Sequence, residues 1–242
     1  MADAGAGDIA PVGARPGGAG PGGAGPAGAG PGGGRLEGRR LYLCTPDRPD
    51  LSNFLAQCIA GGVDVVQLRD KTLEARPLLG RARLAAAVCR DHGVPFVLND
   101  RPDLALEAGA DGVHVGQEDA PPALARRILG PDAIIGLSTH AQAELDASTQ
   151  EPVDYVSAGP VSATPTKPGR PGTGLGYVAY AAAYAGRPVF VTGGVTPDTV
   201  PAMTAAGARR FVVVRWLAAA TDAKSAAAAL RHAVEEALIS PP

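Results

Sequence analysis

The chain is poor in cysteine and in charge imbalance, and both shortages exclude something. Its three cysteines, Cys44, Cys58 and Cys89, are scattered and odd in number among 242 residues, with no CxxC pair or Cys/His spacing of the zinc-site kind. Packing on helix faces is the role expected of Cys58 and Cys89, which fits a reducing compartment, and the location expected is the cytoplasm. With 22 Lys and Arg against 24 Asp and Glu, the net charge of −2 gives no electrostatic case for a nucleic-acid partner or an anionic membrane. No run of about 18 apolar residues exists, so no membrane span is expected. The N-terminus lacks a basic segment followed by an apolar one, so it does not read as a signal peptide. There is no GxSxG, which argues against a serine-hydrolase elbow.

Glycine and proline, by contrast, are abundant, and they are concentrated at the start. Residues 1–35 are nearly all Gly, Ala and Pro. They lack the apolar surface that offsets chain entropy, so a disordered tail is expected there. The Gly spacing is not a strict G-X-Y repeat, which excludes collagen. Residues 36–242 are assigned to one folded domain, with order beginning near Arg39.

From Arg40 short apolar runs alternate with Ala/Leu-rich amphipathic ones. Strands are predicted at 40–45, 63–68, 95–98, 112–115, 133–137, 153–158, 189–192 and 210–214. Between them, Leu51, Leu55 and Cys58 share a helical face, as do Leu78, Ala82, Ala85 and Cys89. Eight strands alternating with helices imply parallel pairing, and that number closes into a (β/α)8 TIM barrel. The first strand runs into Thr45-Pro46-Asp47-Arg48, not the Gly-rich loop of an open nucleotide-binding sheet.

A barrel puts chemistry at the C-terminal ends of its strands. The second strand ends in Gln67-Leu68-Arg69-Asp70-Lys71. Alternation puts Gln67 and Arg69 on one side, and two cations with an amide suit a phosphate or diphosphate. The bland reading is an internal ion pair of Arg69 with Asp70 or another carboxylate. Asp100, after Asn99, and Asp119 follow the third and fourth strands and suit magnesium, which takes carboxylates, water and phosphate oxygens. Helix capping is the bland reading of Asp119. His114, between valines, reads as a hydrogen-bonded core histidine. Ser138 ends the fifth strand and is placed either to bond a substrate heteroatom or to cap the next helix. After the seventh strand, Gly193-Gly194 allows backbone N–H groups close to a phosphate, and Thr196-Pro197 is expected to start a helix.

One stretch stands apart. Residues 154–176, DYVSAGPVSATPTKPGRPGTGLG, break from an apolar run into a long Pro/Gly loop carrying Thr164, Thr166, Lys167 and Arg170. Loops of that length inside a compact domain are usually functional or disordered. Hydroxyls and two cations suit an anionic ligand. With the second-to-fourth and seventh-to-eighth strand ends, this implies two anion sites and two phosphorylated substrates.

In order, VQLRDK (66–71), ND (99–100), DGVHVGQED (111–119), GLSTH (136–140), GPVSATPTKPGRPGTGLG (159–176) and TGGV (192–195) resemble the thiamine phosphate synthase family. The likeness spans about residues 39–238. It implies a barrel enzyme that couples hydroxymethylpyrimidine diphosphate to thiazole phosphate, giving thiamine phosphate and diphosphate by a dissociative path. One Mg2+ per subunit is implied, held by Asp100 and Asp119. Gln67, Arg69, Lys71, Asn99, Ser138 and Lys167 are implied for the pyrimidine diphosphate, with Lys71, Lys167, Arg69 and Ser138 as catalytic groups. Thr164, Thr166, Gly194, Val214 and Arg215 are implied for the thiazole phosphate. Small phosphorylated molecules are the expected partners, and a homo-oligomer is compatible with the likeness. Ser162 stands where the family commonly has an aromatic, Ala163 where it often has proline, and Trp216 where it has a smaller residue. Arg170 takes no role. Two other readings exist: a thiazole tautomerase on the same barrel, for which His140 would matter, and a non-catalytic thiazole-phosphate-binding protein.

Overall fold

The computed structural model describes residues 31–164, 169 and 171–239. Eight strands follow one another: β1 (Leu41–Thr45), β2 (Val65–Leu68), β3 (Phe96–Asn99), β4 (Gly112–Val115), β5 (Ile134–Thr139), β6 (Tyr155–Ala158), β7 (Val189–Thr192) and β8 (Phe211–Val213). Each is parallel to the next, and β8 pairs with β1 to close the barrel. The outer layer is α1 (Leu51–Ala60), α2 (Ala75–Asp91), α3 (Pro102–Ala108), α4 (Pro122–Leu129), α5 (Gln142–Ser148), α6 (Gly174–Tyr184), α7 (Val200–Ala205), α8 (Arg215–Ala218) and α9 (Ala223–Ile239). All eight expected strands form, with ends shifted by at most two residues. Their near-continuous burial is what a parallel sheet covered by helices requires.

Two cores hold the barrel. The larger lies between strands and helices and contains Leu55, Cys58, Ala82, Ala85, Cys89, Leu230 and Val234. The smaller fills the barrel floor with Leu36, Tyr42, Val65, Val97, Ile134, Tyr155 and Phe190. Phe190 meets Tyr42 and Tyr155 edge-on, with ring centroids 5.2 and 5.3 Å apart. Such tilted contacts are the favoured geometry for aromatic rings.

Below the strands, three aspartates repeat one device. Asp64 accepts the backbone N–H groups of Arg40 and Leu41, Asp111 that of Phe96, and Asp154 that of Ile135. Each is paired with an arginine: Arg231, Arg35 and Arg126 respectively. Each ties a strand start to a neighbour and satisfies a donor that the parallel ladder leaves over.

Arg35 belongs to a segment the sequence reading put in the tail. Residues Pro31–Leu36 form a 3-10 helix under the barrel. Leu36 is fully buried in the floor, and Gly32 lies so close to the Ala133 carbonyl that a Cβ there would clash. The folded part therefore takes in residues 31–35 as well, because one leucine and one salt bridge anchor an otherwise tail-like composition. The expectation of a tail over residues 1–30 lies outside the described residues.

Two further expectations change. The helix after β7 starts at Val200, not at Thr196-Pro197. Thr196 instead donates its N–H to the Thr199 hydroxyl, which in turn donates to the Gly194 carbonyl, making a turn. The four-residue α8 was not expected. No described helix is long and apolar enough to cross a membrane.

Candidate active site

The strand ends open into a cavity of about 880 Å3, its open mouth included. Its walls come from nearly every strand. Gln67 and Arg69 enter from the β2 end, Asn99 from β3, His114 from β4 and Ser138 from β5. Thr164 follows β6, Gly193 and Gly194 follow β7, and Val214, Arg215 and Trp216 follow β8. Gln67 and Arg69 face the same space because alternate residues of a strand share a side. Arg69 makes no ion pair among the described residues. Asp70 instead accepts the backbone N–H groups of Asp47, Thr72 and Leu73, so the Arg69–Asp70 pair does not form. Burial pushes the Asp70 carboxyl up, but these bonds and that of the Thr72 hydroxyl hold it below the usual range.

A second cluster stands beside the cavity, past the ends of β2, β3 and β4. Lys71 Nζ lies 2.8 Å from Asp100 Oδ2. Asp119 stands beside Asp100, close enough for the two carboxyls to act on each other. Burial and the neighbouring Asp119 raise Asp100, and Lys71 only partly offsets this. Burial also pushes Asp119 up, but Asp100 and the bond from the Gly116 N–H leave it below the usual range. Asp100 is also held at φ 63°, a left-handed conformation that Asp tolerates better than most residues but that is still uncommon. Asp119 does not cap α4, whose N-cap is Pro121; it folds back 2.8 Å from the Gly116 N–H. Two hard oxygen donors beside each other suit a divalent cation of the magnesium kind. Among the described residues no group of three or more His, Cys, Asp or Glu does so.

Opposite this cluster, Gly193 and Gly194 have φ of 97° and 79°. A Cβ on Gly194 would come 3.3 Å from Ser162, so bare backbone faces the cavity there. Thr164, Gly194, Val214 and Arg215 line this half. Trp216, the only tryptophan, forms part of the wall and is 38% exposed. Its indole N–H donates to the Ala226 carbonyl at 3.2 Å. Thr166, Lys167 and Arg170 lie outside the described residues.

Ser138 does not cap a helix, since α5 begins after Ala141. Its Oγ is 2.9 Å from His114 Nε2, and His114 Nδ1 is 2.9 Å from the Tyr155 hydroxyl. His114 is thus a bonded core histidine that also reaches the cavity. Tyr42, Cys44, Tyr155 and Ser157 also line the cavity, and the sequence reading singled none of them out for the site. The register Gly136↔Tyr155 offered one signal, a glycine set beside a tyrosine on the next strand. His140 is not among the lining residues; its Nδ1 pairs with Glu144 at 2.9 Å.

Comparison with known proteins follows the same lines. The family model described as thiamine monophosphate synthase matches residues 41–217. A thiamine-phosphate synthase of Thermobifida fusca is 51% identical over 204 residues, 82% of this chain and 93% of that protein. One from Mycolicibacterium smegmatis is 46% identical over 216 residues, 84% of this chain and 95% of that protein. Among solved structures, a thiamine phosphate pyrophosphorylase from Pyrococcus furiosus superposes with a TM-score of 0.76 at 28% identity, covering 85% of this chain and 98% of that one.

Proposed function

The chain belongs to the thiamine monophosphate synthase family of enzymes, and from that premise we propose that it condenses hydroxymethylpyrimidine diphosphate with thiazole phosphate. The products are thiamine phosphate and diphosphate. The observation that carries this reading is one cavity with two unlike ends. One end has Gln67, Arg69, Asn99 and Ser138 next to the Lys71–Asp100–Asp119 cluster; the other has the Gly193-Gly194 backbone with Val214 and Arg215.

In this reading the pyrimidine lies between Gln67 and Ser138, and its diphosphate extends toward Arg69 and Lys71. The thiazole phosphate sits on the glycine backbone, near Thr164. The bond from the pyrimidine methylene to the diphosphate oxygen breaks, and its electron pair leaves with the diphosphate. The aminopyrimidine ring shares the positive charge this creates. The thiazole nitrogen then supplies its lone pair for the new C–N bond. That nitrogen has no proton to lose, so no general base is needed. The protein's contribution is to hold two substrates in line and to offer cations to the leaving group. Arg69 and Lys71 do the latter from the described residues, and Lys167 is proposed to join them. Mg2+, held by Asp100 and Asp119, would neutralise diphosphate charge.

The tautomerase reading is less favoured, because His140 is tied to Glu144 and is not among the lining residues, while the cation and carboxylate cluster is intact. The test is product formation by the purified enzyme given both substrates, with and without Mg2+. Thiamine phosphate and diphosphate should form in equal amounts and only with the metal. Lys71→Ala should lower turnover by about 10²–10³-fold, the scale for removing one charge-stabilising donor. Well-folded protein that makes no thiamine phosphate at saturating substrates and metal sinks the proposal.

A further inference from the structure

Beneath the cavity, side chains from five strands form a continuous run of hydrogen bonds. The Cys44 thiol donates to Gln67 Oε1 at 2.9 Å, and Gln67 Nε2 donates to the Tyr42 hydroxyl at 3.1 Å. Tyr42 and Tyr155 place their hydroxyls 2.9 Å apart. Tyr155 reaches His114 Nδ1 at 2.9 Å, and His114 Nε2 reaches Ser138 Oγ at 2.9 Å. The Ser157 hydroxyl donates to the same Ser138 oxygen at 3.5 Å. Tyr42 is 1% exposed and Tyr155 not at all, so a hydroxyl proton left without an acceptor there would be costly.

That cost fixes the direction of the run. Tyr42 oxygen accepts from Gln67, and its only other partner among the described residues is Tyr155, so its proton goes to Tyr155. The Tyr155 proton then goes to His114 Nδ1. Nδ1 is an acceptor, so the imidazole proton sits on Nε2 and is donated to Ser138. Ser138 oxygen thus accepts from His114 and Ser157. Its own proton is left to point into the cavity, which Ser138 lines. Burial pushes the phenols of Tyr42 and Tyr155 upward, which keeps both as donors. The arrangement is also built sterically. A Cβ on Gly136 would fall inside the Tyr155 ring, so this glycine is what lets the ring lie over β5. The ring stacks on His114 at 5.4 Å between centroids and 29° between planes.

We propose that Tyr155 is a positioning residue: through His114 it holds the Ser138 hydroxyl as a hydrogen-bond donor into the cavity, so that Ser138 selects a ring nitrogen of the aminopyrimidine, an acceptor, over its exocyclic amine. This rests on the reading of the cavity as a pyrimidine site, but the proton placement is testable without turnover.

The full-length enzyme, labelled with 15N-histidine, contains four histidines. The His114 signals are identified by their loss in His114→Gln. In the unsubstituted enzyme His114 is expected as the Nε2–H tautomer. Tyr155→Phe keeps the ring and removes only the hydroxyl, and it should move the His114 Nδ1 resonance downfield, as loss of an accepted hydrogen bond does, while Nε2 keeps its proton. An Nδ1–H tautomer in the unsubstituted enzyme, or an Nδ1 resonance unmoved by Tyr155→Phe, overturns the proposal. Should Tyr155→Phe fold poorly, Tyr42→Phe breaks the run one link earlier and should shift the same signals in part; no shift in a folded Tyr42→Phe counts against it. Kinetics give the second reading. Tyr155→Phe should lower kcat about tenfold with the KM for thiazole phosphate unchanged, and adding it to Ser138→Ala should cost less than about a further twofold. Losses that multiply independently would mean that Tyr155 does not act through Ser138. If the expected tautomer is found in an enzyme that makes no thiamine phosphate, the assigned reaction has failed and the hydrogen-bond run has not.

Discussion

Trp216 carries a consequence at the scale of one residue. Its indole is pinned by the bond to Ala226 and forms wall next to Val214 and Arg215, on the glycine side of the cavity. Ser162, over Gly194, contributes little surface to that side. Trp216→Ala should therefore raise the KM for thiazole phosphate by about tenfold, the equivalent of about 1.4 kcal/mol of lost aromatic contact. The KM for the pyrimidine diphosphate should stay within about twofold. Steady-state kinetics with each substrate varied in turn checks this, and equal changes in both constants would remove the role. Gln67, Arg69, Asn99 and Ser138 were legible in the sequence as cavity residues because strand alternation and strand ends are local properties. Tyr42 and Tyr155 were not. Each sits in an apolar run that reads as core, and its polar tip acquires meaning only through register with other strands.

Among the elements, the 3-10 helix Pro31–Leu36 braces the barrel floor. It adds one buried leucine to the floor and one arginine to Asp111. Leu36→Ala should destabilise the barrel by about 2–5 kcal/mol, the range for truncating a buried leucine. Removal of residues 1–30 should leave the urea midpoint unchanged, whereas removal of residues 1–36 should lower it clearly. Equal midpoints for the two truncations would mean that the segment does not brace the floor. The sequence reading missed this element for a physical reason. A six-residue turn has too few residues for periodicity to register, and PGGGRL looks like the Gly/Pro stretch before it. The strands and long helices were legible because each repeats its pattern over enough residues to be distinguished. The shift of α7 to Val200 has the same origin, since a Thr-Pro step marks a turn as readily as a helix start.

At the scale of the whole molecule, the barrel keeps its thiols out of reach. Cys58 and Cys89 are fully buried, and burial pushes both thiols up to about 12. At pH 8 that leaves about one molecule in 10⁴ as reactive thiolate at either position. The native enzyme should therefore expose at most Cys44, beside the cavity, to a thiol-specific reagent, and the other two should react only on unfolding. Rapid labelling of all three in folded protein would contradict the packing. A last consequence comes from the floor. The Pro31–Leu36 helix lies beneath the strands, while the described groups assigned to the site stand at the opposite rim. The Pro31–Leu36 brace and the site thus occupy opposite ends of one barrel, so the segment that steadies the floor is kept apart from the groups that meet substrate.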